Sequence, residues 1–276
     1  MPNEPTNGVV GRSRETELVV AALAARRHVV LEGPPGTGKS TLLRSVAESF
    51  GVSFVFVEGN AELTPSRLIG NFDPARVLDE GYAPSSFVDG PLVQALREGS
   101  LLYVEEINRI PEETLNVLVT VMSEGEITIP RYGVVKAGDG FRLVAAMNPF
   151  DAVGTARISS AIADRVCRVA MTYQSPEDEV AIVHHAIRTT VSGLDAGWIR
   201  GVVEVARATR THPELRTGSS VRGAIDTVLV ASQLVTMRGS TSSVNECGKD
   251  AAIVSLSGRV RLREGVTRSA EAIIEE

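Results

Sequence analysis

The sequence predicts an α/β core followed by a smaller α-helical domain, and three observations lead there. A glycine-rich octapeptide, Gly33-Pro34-Pro35-Gly36-Thr37-Gly38-Lys39-Ser40, stands between a short apolar run and an amphipathic stretch. β-Rich runs alternate with helical patterns as far as residue 170. At Tyr173-Gln174-Ser175-Pro176 the pattern changes, and helices follow with little strand. Strands alternating with helices build a parallel sheet, whereas helices alone pack on one another. The expected boundary leaves residues 1–174 in the core and 175–276 in the helical domain.

The octapeptide fits G-x-x-x-x-G-K-[ST]. His28-Val29-Val30-Leu31 before it reads as a buried strand, and Ser40 to Ala47 after it as a helix with Leu42, Leu43 and Val46 on one side. Gly33, Gly36 and Gly38 let the backbone curl until successive N–H groups converge on phosphate oxygens. The helix N-terminus adds donors and a positive dipole end. Lys39 can reach the β and γ phosphates of a nucleoside triphosphate, and the Ser40 hydroxyl can sit on Mg²⁺.

Composition narrows the classes. The chain has 276 residues and is 43% hydrophobic, enough for a large core or a core plus a smaller domain. Lys and Arg number 28 against 34 Asp and Glu, a net charge of −6 without long blocks of one sign. Nucleic acid and anionic membrane surfaces are therefore not expected partners. Cys167 and Cys247 are too few and too far apart for a zinc knuckle or disulfide scaffold, and Cys167, in an apolar run, is expected in the core. No apolar run reaches membrane-spanning length, and residues 1–8 read as a polar, disordered lead without a signal peptide. The expected placement is cytoplasmic, without membrane insertion.

Along the chain, Glu15 to Arg26 reads as a helix and Val52 to Val57 as a second strand. Residues 58–90 are less regular, and so long a connection is usually functional or mobile. Pro91 suits the first position of a helix. Leu101 to Val104 is a third buried strand. Pro111 opens a helix in which Leu115, Leu118, Val119 and Met122 follow helical spacing. Glu126 to Phe141 alternates and contains three glycines, the mark of a β-hairpin, and Phe141 to Met147 is a fourth core strand. A short helix near 159–164 and a strand at 166–170 close the core. Further helices are expected from Ser175, at 196–208, at 220–237 and at 244–256.

Several polar residues stand where strands end. Leu101-Leu102-Tyr103-Val104-Glu105-Glu106 is four apolar residues and two acids. Carboxylates at the C-terminal end of a buried parallel strand face the crevice where ligands bind. Glu105 can then hold Mg²⁺ and Glu106 can orient or deprotonate an attacking water. Taken without the phosphate loop, the same pair reads more readily as a strand end with solvated acids. Asn148, in Met147-Asn148-Pro149, can share a water with Glu106 or simply make a turn. Arg165, after Asp164, can stabilise charge on a neighbour's γ-phosphate or form a structural ion pair. Arg222, after Gly218-Ser219-Ser220, can reach nucleotide from the helical domain or be solvated.

Together these residues resemble the MoxR-type AAA+ ATPases. The likeness runs from Val10-Gly11-Arg12 almost to the C-terminus. It takes in Gly33 to Ser40 as Walker A, Glu105-Glu106-Ile107-Asn108-Arg109 as Walker B, and Val144 to Pro149 as sensor 1. Gly154-Thr155 with Ala161 to Arg165 resembles the arginine-finger segment, and Gly218 to Arg222 the sensor 2 helix. Asp89-Gly90-Pro91-Leu92 resembles the end of the helix-2 insert, and residues 126–141 the pre-sensor-1 hairpin. The resemblance implies an AAA+ P-loop core with a five-stranded parallel sheet between helices, and a C-terminal α-helical lid. It implies ATP and Mg²⁺ as cofactors, with Thr41 joining the Walker A contacts and Val10 and Gly11 near the adenine. Arg165 would act in trans and Arg222 from the lid. A homo-oligomeric ring, usually hexameric, is implied, as is a protein partner, in many cases one with a von Willebrand factor A domain. One departure stands out: the first Walker B acid, usually Asp, is Glu105 here. Its extra methylene moves the carboxylate by roughly 1.5 Å, against an ion that demands near-octahedral geometry.

Three functions are compatible with this reading. An ATP-hydrolysing ring that remodels, activates or assembles partner proteins leads. A DNA-dependent motor is the second, suggested by Arg131 and Lys136 in the hairpin and opposed by the acidic total. The third, motivated by Glu105, is a nucleotide-gated assembly protein that turns over slowly.

Overall fold

The apolar runs form a five-stranded parallel sheet in the computed structural model, which describes residues 9–149, 159–190 and 194–276. In chain order the first part holds α1 (Ser13–Ala24), β1 (His28–Glu32), α2 (Lys39–Phe50), β2 (Phe54–Glu58), α3 (Pro65–Ile69), β3 (Gly70–Phe72), α4 (Pro74–Glu80) and β4 (Phe87–Asp89). It continues with α5 (Pro91–Glu98), β5 (Leu101–Glu105), α6 (Glu112–Glu124), β6 (Glu126–Ile129), β7 (Gly133–Lys136), β8 (Arg142–Met147), α7 (Ser160–Ala163) and β9 (Val166–Ala170). The sheet order is β2-β5-β8-β1-β9, every pairing parallel. This is the α/β P-loop architecture expected from the sequence.

Alternation along each strand divides the core between two faces. Val29, Leu31, Leu101, Tyr103, Val144 and Ala146 pack with Val19 of α1 and Leu42, Leu43 and Val46 of α2. Val30, Leu102, Val104, Leu143 and Ala145 pack instead with Leu92, Val93 and Leu96 of α5 and Leu118 and Val121 of α6. Burial on both faces is why these strands read as unbroken apolar runs. Cys167 is a correction: it is exposed, not core. Its strand, β9, lies at the edge of the sheet beside β1 among the described residues, so an apolar run there is not enclosed as it would be at the centre.

Residues 58–90 are more ordered than the sequence suggests. They contain α3, α4 and an antiparallel β3–β4 pair in which Gly70 faces Asp89 and Phe72 faces Phe87. Phe72 contacts Tyr82 and Phe87 edge-on, each at 5.1 Å between centroids, and Phe87 meets Tyr132 of the β6–β7 turn at 4.9 Å. Elements of three to seven residues carry too little periodicity to be read in advance. What the sequence does show is where helices start. Thr64, Asp73 and Ser175 cap helices whose first turn holds Pro65, Pro74 and Pro176, where a missing N–H costs nothing.

Contacts divide the chain into two compact units, one running to Pro34 and from Gly38 to Thr172, the other comprising Tyr173–Glu276 with Pro35–Thr37. The second holds α8 (Pro176–Ile187), α9 (Ala196–Ala208), β10 (Leu215–Thr217), α10 (Val221–Arg238), α11 (Val244–Leu256), β11 (Arg261–Leu262) and α12 (Ala270–Ile274). The antiparallel β10–β11 pair is an addition to the helices expected there. Glu179 is fully buried in this unit and pairs with Arg207 at 3.1 Å and Arg210 at 2.8 Å. Arg210 also stacks on Tyr173 and donates to the Ser219 carbonyl. Among the described residues no helix is long and apolar enough to cross a membrane.

His28 ties β1 to β8 through a bond that depends on its protonation. Its Nδ1 accepts the Leu143 N–H at 2.9 Å, and burial, then the Arg142 charge, push the imidazole down from 6.5 to about 4. The native state therefore favours the neutral ring, and stability from this site is complete above the unfolded value and lost as pH falls towards 4. Urea unfolding at about pH 7.5 and about pH 5 should show a loss of about 2 kcal/mol from His28. His28→Asn, which keeps an acceptor but cannot titrate, should lack that component. Equal pH dependence in the two proteins would disprove the assignment.

Candidate functional site

The loop between β1 and α2 is shaped by backbone requirements. Gly36 and Gly38 adopt positive φ of 73° and 84°, and Gly38, as the N-cap of α2, offers no side chain to its N-terminal N–H groups. Gly33 donates its N–H to the Met147 carbonyl at 3.1 Å. A Cβ at Gly33 would stand 2.2 Å from the Met171 carbonyl oxygen, so the loop's entry admits only glycine without a shift. Thr37 is buried, Pro35 and Thr41 are exposed, and Pro34 is half-buried. The buried Lys39 turns its Nζ back into the loop, donating to the carbonyls of Gly33 and Pro34 at 2.8 Å each.

Ser40 joins this loop to the end of β5. Its Oγ donates to Glu105, 3.0 Å from Oε1 and 3.3 Å from Oε2. Residues 103 and 105 share a strand face, and the Tyr103 hydroxyl lies 3.1 Å from the same Ser40 Oγ. Tyr103 is fully buried, its ring set between Phe54 at 5.4 Å and Phe56 at 5.6 Å. Burial pushes the Tyr103 phenol well above its ordinary value, so it stays neutral and keeps its proton. Tyr103 was not singled out from the sequence, where it reads as one of four apolar strand residues. The available signal was its position two residues before Glu105.

Glu106 sits just past the strand with φ of 52°, a left-handed conformation uncommon for a residue with a side chain. Its Oε2 pairs with Arg109 at 2.8 Å. The turn is enclosed: Asn108 is buried and donates from Nδ2 to the Asn148 carbonyl at 3.4 Å, linking the ends of β5 and β8. Gly59, after β2, donates to the Glu105 carbonyl at 2.7 Å. A Cβ on Gly59 would lie 2.5 Å from the Glu106 carbonyl oxygen and 2.8 Å from that of Glu105. Gly59 carries no motif in the sequence, and Arg109 stands there only as the last residue of the acidic run.

The remaining candidates lie in other surroundings. Arg165 donates from Nε to Ser123 Oγ at 2.6 Å and from Nη1 to the Ala161 carbonyl at 2.8 Å, joining α6 to α7. Val10 is half-buried and Gly11 exposed with φ of 67°. Next to them the buried Arg12 pairs with Glu15 at 2.7 Å and donates to the Thr172 carbonyl at 2.5 Å. Arg222 is exposed on the first turn of α10. Gly154-Thr155 lies outside the described residues. Arg131, in the hairpin turn, is stacked 4.0 Å from the Tyr82 ring centroid. Among the described residues no group of three or more His, Cys, Asp or Glu could hold a metal by itself.

Comparison with known proteins places these features in a family. Residues 28–166, half of the chain, match the model of the AAA domain, dynein-related subfamily. The Bacillus subtilis protein YeaC is 29% identical over 241 residues, covering 79% of this chain and 72% of its own. Among solved structures, the Thermotoga maritima RuvB Holliday junction branch migration motor superposes with a TM-score of 0.59 at 15% identity, over 89% of this chain and 70% of that one. The complex between the BchI and BchD subunits of magnesium chelatase contains a chain matched with a TM-score of 0.50 at 21% identity, over 99% of this chain and 100% of that one. At such identities both likenesses are of fold.

The contact at Gly59 generates a prediction. Gly59→Ala should displace the Glu105–Glu106 backbone and lower stability by about 1–3 kcal/mol. Gly51→Ala, at φ of 60° with nothing within 4 Å of a Cβ, meets only backbone strain and should cost about 1 kcal/mol. Urea denaturation of both variants checks this, and Gly59→Ala as stable as wild type would remove the positioning role.

Proposed function

This chain belongs to the AAA domain family, dynein-related subfamily, and from that premise we propose that it is an ATP-hydrolysing AAA+ protein of the MoxR type, working as a homo-oligomeric ring that remodels or assembles protein partners. The single observation that carries the catalytic reading is the Ser40–Glu105 hydrogen bond at 3.0 Å, which unites the glycine-rich loop with the acidic strand end.

The donor set fits Mg²⁺. A hydroxyl and a carboxylate are hard oxygen ligands, and this ion is usually held by one or two carboxylates, water and substrate phosphates, not by an all-protein cage. Ser40 and Glu105 would hold it, and it would neutralise charge between the β and γ phosphates. The reach of Glu105 to Ser40 supports a working site despite the longer acid. Lys39 would exchange the Gly33 and Pro34 carbonyls for phosphate oxygens. Glu106 would orient the attacking water and accept its proton, with Asn148 holding that water from the end of β8. Gly33 to Thr41 would cradle the phosphates, Val10 and Gly11 would flank the base, and Arg222 would approach from a C-terminal lid at residues 175–276.

Arg165 would complete a neighbour's site in trans, which is why a homo-oligomeric ring is part of the reading.

 Hydrolysis would then change the relation of core to lid and pass it to a bound partner, one carrying a von Willebrand factor A domain being the class to test first.

Two experiments test the reading. Lys39→Ala should lose ATP binding at micromolar nucleotide, whereas Glu106→Gln should bind ATP while losing about 10²-fold or more in turnover, because Gln keeps the size but cannot take a proton. Nucleotide titration with steady-state ATPase rates checks both, and a Glu106→Gln protein within a few-fold of wild type would sink the assignment. In the second, Arg165→Ala and Glu106→Gln subunits, each inactive alone, should regain activity when mixed, since some interfaces then pair an intact arginine with an intact acid. A covalently linked dimer with one such interface, inactive although assembled into rings, would rule out action in trans.

A further inference from the structure

The hydrogen bonds around Ser40 can be counted. A serine hydroxyl has one proton and two lone pairs. The proton is directed to Glu105, at 3.0 Å from Oε1. With that proton committed, the Tyr103 hydroxyl, 3.1 Å away, is placed as a donor to Ser40, beside the Glu105 carboxylate with which it also interacts. One lone pair of Ser40 is thus taken by Tyr103, and its direction fixes that of the other. The Tyr103 ring cannot easily turn away, because it is fully buried and packed against Phe54 and Phe56.

We propose that Tyr103 is a positioning residue for the divalent ion, orienting the Ser40 hydroxyl through a Tyr103→Ser40→Glu105 relay so that its second lone pair faces the ion. The inference rests on the nucleotide–Mg²⁺ reading given above. It assigns a part to a side chain that the glycine-rich loop and the paired acids do not contain. The relay also connects to the longer acid: the carboxylate that receives the Ser40 proton is Glu105, on the same strand face as Tyr103. Without the phenol, the Ser40 hydroxyl would remain bonded to Glu105 but would be free to rotate about that bond.

Tyr103→Phe tests this, because Phe keeps the ring contacts and removes only the hydroxyl. Mn²⁺ serves as the probe, its affinity measured by electron paramagnetic resonance in the presence of a non-hydrolysable ATP analogue. Tyr103→Phe should weaken Mn²⁺ binding about three- to tenfold, the range expected for one hydrogen bond. Nucleotide affinity in EDTA should stay at its wild-type value. In a Ser40→Ala background, where the relay has no middle, adding Tyr103→Phe should change Mn²⁺ affinity no further. Unaltered Mn²⁺ affinity in Tyr103→Phe would overturn the proposal alone. So would an equal loss in the Ser40→Ala background, or a parallel loss of nucleotide affinity in EDTA, either of which would mark a general packing effect. A wild-type protein whose nucleotide binding ignores Mn²⁺ would overturn the parent reading and this one with it.

Discussion

Two-sided burial of the central strands is the constraint on which the rest of the structure depends. β5, β8 and β1 are covered by helices on both faces, so successive residues must alternate between two apolar layers. A slip of one residue in β5 would exchange Leu102 and Val104 with Leu101 and Tyr103 and send every side chain to the wrong layer. The same alternation governs the strand's polar end. Since Tyr103 belongs to the layer that packs on α2, Glu105 emerges on that side as well, where α2 begins with Lys39 and Ser40. The contact between Ser40 and Glu105 is therefore a consequence of how the core is packed.

Close backbone approach complements this register. Gly33 lies against the Met171 carbonyl where the loop leaves β1, and Gly59 lies against the carbonyls of Glu105 and Glu106 where the chain leaves β2. These two glycines bring neighbouring strand exits closer than a side chain would allow, and the polar groups collect along that rim. Glu106 takes a left-handed backbone conformation there, which carries a modest conformational cost for a residue with a Cβ. Its ion pair with Arg109 and the buried Asn108 are parts of the turn that sustains it.

The second unit is held differently. Its helices share an apolar core of Val183, Ile199, Val203, Val221 and Val228, but its polar centre is Glu179 with Arg207 and Arg210. Such a buried cluster is a poor source of net stability, because desolvation offsets the attraction. Its geometry instead joins three segments: Arg207 donates to the Gln174 carbonyl, Arg210 to the Ser219 carbonyl, and Glu179 lies on α8. Ser219 lies just before Ser220, the N-cap of α10, the helix that carries Arg222.

Much of this was present in the chain's local chemistry. The octapeptide at 33–40, the apolar runs of β1, β5 and β8, and the helices at 196–208 and 244–256 follow from periodicity and turn residues, since each is long enough to carry a pattern. Cys167 was misjudged, because an apolar run does not say whether its strand lies at the centre or the edge of a sheet. The β3–β4 and β10–β11 pairs escaped notice, because their partners are distant in sequence and their strands too short. The sequence by itself determined which residues line the phosphate loop and which acids end β5, because both are properties of contiguous stretches. Only the tertiary structure decided that Tyr103 reaches Ser40, that Gly59 presses on the acidic turn and that Arg165 bonds to Ser123. Those contacts join residues far apart in the chain: the parallel pairing of β2 with β5 and its alternation of faces bring Gly59 and Tyr103 to their partners, and the packing of α6 beside α7 brings Arg165 to Ser123.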